Sequence, residues 1–165
     1  MAERWPAGGG FGNVERLLHL SPAARQTTGD GFDMSTIARA SLAVVAGLVT
    51  WILVATVGNL AIRGLLPGYA AVEKAMDFTL AMQVARLALG AASSLAAGAV
   101  CRRVAPTSAT PVYFLAVVLV LMFIPVHISL WAKFPVWYHL VFLGSLPLLT
   151  WLGGRRSGQV DTHAS

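Results

Sequence analysis

Few residues in this chain could do chemistry, and the most demanding of them is Arg86. It is the only charge between Asp77 and Arg102, inside an otherwise apolar run. About eight residues into that run, at 1.5 Å of helical rise each, it would lie roughly 12 Å deep. An arginine at the centre of a membrane span costs about 2.5–3.5 kcal/mol on insertion scales, so something must accompany it. Gln83 lies one helical turn before it. Asn59 closes an earlier apolar run, His127 closes a later one, and Tyr138 and His139 open the last. Glu73 and Asp77 approach from the connecting loop. If successive runs alternate in direction, these eight residues share one end and form a polar cluster open to the outside. Arg86 is then expected to point into the bundle and to touch at least one of Asn59, Asp77, Gln83 or His127.

Three uses fit such a cluster. Arg86 could pair with a loop carboxylate or with Asn59 and fix its helix against its neighbours. It could bind an anionic solute or a lipid headgroup. Or His127 and His139, with Glu73 or Asp77, could supply the nitrogen and oxygen ligands that zinc takes, although two histidines twelve residues apart lack a motif's tight spacing. Enzymatic signatures are missing: there is no His-Glu-x-x-His, no Gly-x-Ser-x-Gly, and no glycine loop ending in Lys-Ser or Lys-Thr. Gly8-Gly9-Gly10 is followed by no lysine that would complete such a loop. Cys101 stands alone, which excludes an intrachain disulfide and any multi-cysteine metal site. The sequence asks for no cofactor, and no catalytic or metal residue is assigned.

The elements that must position these residues are read from four apolar runs, at about 40–62, 78–100, 111–131 and 135–153. Each is near the roughly 20 residues that a helix needs to cross about 30 Å of hydrocarbon. Only 12% of the chain is charged, about half the share usual in soluble domains, so lipid is the solvent for much of it. The expected fold is all-α: an integral membrane four-helix bundle in antiparallel up-down order. In the second run, Thr79, Gln83, Arg86, Gly90, Ser93 or Ser94, and Ala97 share a face opposite Leu80, Val84, Leu87, Ala91 and Leu95. The small, polar face predicts close helix approach near Gly90, Ser94 and Gly98. Pro111 and Pro135 suit first helical turns, Pro125 and Pro147 fall inside runs, and Gly153-Gly154 reads as a helix stop.

Orientation follows from the basic residues. The N-terminus, the middle loop and the C-terminus hold eight arginines, against three basic residues in the other two loops, so both termini are expected to be cytoplasmic. The net charge of +5 is spread along these flanks rather than gathered in a patch, which argues against a nucleic-acid partner. Trp131, Trp137 and Tyr138 are expected to form an outer aromatic belt, with Tyr113 and Trp151 near the inner face. Residues 1–33 are glycine-rich and polar and read as a disordered tail, or as an artefact upstream of an initiator at Met34. Residues 155–165 read as a second disordered tail.

Three segments carry a resemblance: Leu65-Leu66-Pro67-Gly68-Tyr69, Phe78-Thr79-Leu80-Ala81-Met82-Gln83, and Phe134-Pro135-Val136-Trp137-Tyr138-His139-Leu140. In their order they resemble a group of small four-span bacterial inner-membrane proteins of uncharacterised function, over roughly Met34 to Gly154. The resemblance implies four helices in a bacterial inner membrane and carries over no catalytic or binding residue. The reading of the whole is a non-enzymatic structural or accessory protein, with the bilayer, a second copy or a membrane protein as partners. A small oligomeric transporter or channel with an outward-facing site at Arg86 is the alternative, and a membrane enzyme the second.

Overall fold

The computed structural model describes residues 34–157; the expectations for 1–33 and for 158–165 lie outside the described residues. Helix α1 spans Met34–Leu65, a short helix α2 Tyr69–Val72, α3 Leu80–Val104, α4 Thr110–Ser129 and α5 Val136–Ser157. All but α2 are long and apolar enough to cross a membrane. Their outward faces carry Leu53, Val57, Phe114, Leu121, Leu140 and Leu148 exposed. With lipid as solvent, exposed leucines need no burial, and what a bundle must hide instead is its polar and small residues.

The hidden face of α3 is the small, polar one. Gly90, Ser93, Ser94, Ala97, Gly98 and Cys101 are buried, while Leu80 and Val84 opposite are exposed. Leu87, expected on the lipid side, instead packs against both apolar clusters of the bundle. Helix α3 makes its most extensive contacts with α1 and α5. Trp51 of α1 reaches across to α3, its indole Nε1–H donating to Ser94 Oγ at 3.2 Å. Its ring meets Phe123, which in turn meets Phe142, at centroid distances of 4.7 and 5.2 Å.

One expectation is overturned at the end of α5. Gly153 and Gly154 do not stop the helix, which continues to Ser157 and takes in the first residues of the segment read as a C-terminal tail. The pair is there for packing. A methyl added at Gly153 would collide with the Leu95 carbonyl of α3, and one added at Gly98 with the Thr150 carbonyl of α5. Two helix backbones meet here with no side chain between them, the arrangement that small residues permit in membranes.

The connection from α1 to α3 is more than a loop. Leu66 N–H closes on the Ile62 carbonyl, and Gly68 turns the chain at φ 77, a conformation that favours glycine. Helix α2 then lays Tyr69 into the bundle, where it is fully buried. Tyr69, Phe78, Met82, Phe134 and Tyr138 form an apolar cluster of their own, capping this end. Tyr138 is therefore not a belt residue: it is 4% exposed, whereas Trp131 and Trp137 keep 55% and 40% of their surface.

Candidate functional site

Arg86 lies against the underside of this cap. Thr79 starts α3 as its N-cap, its hydroxyl accepting from Met82 N–H at 3.3 Å. Such a cap satisfies one of the backbone donors left over in a first helical turn. Gln83, one turn on, donates its side-chain N–H to the Phe78 carbonyl at 3.2 Å. That bond steadies Phe78 beneath the guanidinium, whose carbon stands 4.8 Å from the ring centroid. A cation over an aromatic face is attracted by the ring quadrupole, more so when water is excluded.

Arg86 meets two phenol hydroxyls, that of Tyr138, which was expected in the cluster, and that of Tyr69, which was not. Arg86 Nη1 donates to the Tyr69 hydroxyl at 2.7 Å, and that hydroxyl donates to Asn59 Oδ1 at 3.2 Å. The Asn59 amide donates to Glu73 Oε1 at 3.4 Å, and the other oxygen of Glu73 is paired with Arg63 Nε at 3.2 Å. Three helices thus feed one directional series of donors, from Arg86 on α3 through Tyr69 and Asn59 to the carboxylate of Glu73, the residue that caps α2. Asn59 is reached through Tyr69, not directly. Asp77 is exposed and takes no part. Among the described residues, Arg86 and Asn59 line one cavity, and the hydrogen-bond link between them runs through Tyr69. The local signal for Tyr69 is its place just after Pro67-Gly68: a turn delivers it, and turns reach inward as readily as outward.

The charge balance of this series matters. Glu73 is the only carboxylate in it, and Arg63 sits on Glu73 directly. Two guanidinium groups therefore share one carboxylate, and Arg86, the deeper, is left with neutral oxygens. Its Nε is buried with no hydrogen-bond partner. Beside it is a cavity of about 190 Å³, lined among others by Asn59, Arg86, Tyr138, Ala55, Leu89 and Phe142. Asn59, Arg86 and Tyr138 bring polar groups to this cavity, and Ala55, Leu89, Phe123 and Phe142 give it apolar walls.

His127 and His139 form a second polar centre. Both are buried, and their Nδ1 atoms stand 2.7 Å apart, a hydrogen bond in which one ring donates and the other accepts. Trp131 stacks on His139 at 4.8 Å, and His127 packs on Phe142 at 4.7 Å. Nε2 of His139 is buried without a partner. The structure brings the two histidines together but adds neither Glu73 nor Asp77. Among the described residues, no group of three or more His, Cys, Asp or Glu side chains could hold a metal ion. The three-ligand arrangement considered from sequence is therefore not assembled. Tyr138 lies between the two centres, stacked near His127 at 6.2 Å and lining the Arg86 cavity.

The three segments that carry the resemblance all meet at this end, through Tyr69, Phe78, Gln83, Phe134, Tyr138 and His139. Compared with known protein families, curated proteins and solved structures, the chain matches none.

Proposed function

We propose that this chain is a non-enzymatic four-span protein of a bacterial inner membrane that binds a small anionic ligand at Arg86. In this reading its helices alternate in direction, both termini face the cytoplasm, and the Arg86 cavity opens toward the outer face. One observation carries the proposal: a guanidinium within an apolar span, its Nε unpartnered, lines a cavity while the one carboxylate in its hydrogen-bond series is paired with Arg63. Leaving a charge uncompensated in a low-dielectric setting is expensive unless an opposite charge arrives. A carboxylate or phosphate oxygen in the cavity would meet Arg86 and the Asn59 amide, and a short apolar tail would meet Ala55, Leu89 and Phe142. Binding at fixed depth fits better than transport by the monomer, because this cavity shares no lining residue with the large one at the other end of α3.

The test is thermal unfolding of the purified protein in detergent, titrated with acetate, butyrate, hexanoate and inorganic phosphate. The expected result is a rise in melting temperature, greatest for an anion with a short apolar tail, that disappears in Arg86→Gln while that variant stays folded. A wild-type protein that none of these anions stabilises would contradict the reading.

A further inference from the structure

The end of α3 away from Arg86 carries a second basic site, built differently. Sixteen residues separate Arg86 from Arg102, which at 1.5 Å each is roughly 24 Å, most of the hydrocarbon thickness. There a cavity of about 480 Å³ is lined by Arg102, Arg155, Tyr113, Trp151 and three small or apolar residues, with no acidic side chain. Arg102 Nη1 is buried and has no hydrogen-bond partner. Arg155 lies over the Trp151 ring at 4.5 Å, and the Trp151 Nε1–H donates to the Tyr113 hydroxyl at 3.1 Å. Tyr113 and Trp151 also head an apolar groove of about 630 Å³ that runs along the α4–α5 face past Ala116, Val117, Val120 and Pro147.

We infer that this place holds one anionic phospholipid of the surrounding leaflet. The phosphate sits between Arg102 and Arg155, the indole and phenol take the glycerol level, and one acyl chain follows the groove into the membrane. Three features require a lipid rather than a soluble anion. The two basic groups and the two amphipathic rings occur in the depth order of a headgroup and its ester region. The groove continues from the same two rings with almost entirely apolar walls. And the site lies on the flank of the bundle, where a lipid arrives by lateral diffusion. Basic pockets between membrane helices bind anionic headgroups in just this setting. The inference is independent of the Arg86 proposal, since the two cavities have no residue in common.

Native mass spectrometry of the full chain, with phosphatidylglycerol and phosphatidylcholine of identical acyl chains, reads the occupancy directly. The expected result is one retained phosphatidylglycerol, preferred about tenfold over phosphatidylcholine. Arg155→Gln should cut that preference severalfold, and Arg102→Gln with Arg155→Gln should abolish it. Arg155 is exposed, so its single variant folds even if the double does not. Val117→Trp, at a lipid-facing position, should weaken both lipids alike by filling the groove. Glycerol phosphate, which has the charge but no chain, should fail to displace the bound lipid at equal concentration. Equal retention of the two lipids, a preference that survives Arg155→Gln unchanged, or displacement by glycerol phosphate would each overturn the inference.

Discussion

At the scale of single residues, the hydroxyl of Tyr69 has the most to lose. It accepts from Arg86 and donates to Asn59, so Tyr69→Phe strands a charged donor and a half-buried acceptor together. Leaving one such group unpaired costs about 1–3 kcal/mol. The variant should therefore melt several degrees lower in detergent, and an unchanged melting temperature would show that the series carries no stability. The histidine pair behaves by the same rule with a different outcome for the double change. His127→Phe or His139→Phe alone leaves a buried ring nitrogen facing nothing, a loss of about 1–3 kcal/mol each. Removing both takes away the demand with the supply, so the double variant should be more stable than the sum of the singles predicts. Strict additivity in that cycle would mean that the 2.7 Å contact contributes no coupling.

At the scale of elements, the glycines separate two meanings of one residue type. Gly98 and Gly153 are where α3 and α5 touch backbone to backbone, whereas a methyl added at Gly144 meets nothing within 4 Å. Gly98→Ala should cost about 1–3 kcal/mol through forced separation of the helices. Gly144→Ala should be neutral or gain about 0.5–1 kcal/mol from helix propensity. Comparing the two melting temperatures checks both statements, and a Gly98→Ala protein as stable as wild type would refute the close-packed seam. This pair also shows what was legible beforehand. The spans and the buried face of α3 could be read, because hydropathy and small-residue spacing are local properties. Gly153-Gly154 was misread as a stop because helix-ending and helix-packing glycines are identical in one dimension; only the approach of Leu95 distinguishes them. Tyr69 was missed for a related reason. A turn at Pro67-Gly68 announces a change of direction without saying that the next side chain falls back into the bundle.

At the scale of the molecule, the eight-to-three distribution of basic residues predicts one orientation. Alkaline phosphatase fused after Ser165 should be inactive, and the same reporter placed in the loop near Lys74 should be active; the reverse pattern would invert the protein and both of its proposed sites. The arrangement around Arg86 also bears on how the chain is made. Synthesis runs from the N-terminus, and α3 has to leave the translocon carrying a charge that costs about 2.5–3.5 kcal/mol to insert. Asn59, Tyr69 and Phe78, which receive that charge, all precede it in the sequence. They are already outside the ribosome when Arg86 emerges, and α1 with the α2 turn can meet α3 as a helical hairpin before α4 and α5 exist. The cap residues that come later, Phe134 and Tyr138, close over a charge that is already accommodated. Were the same contacts supplied by the last helix instead, the arginine would have no help at the moment of insertion.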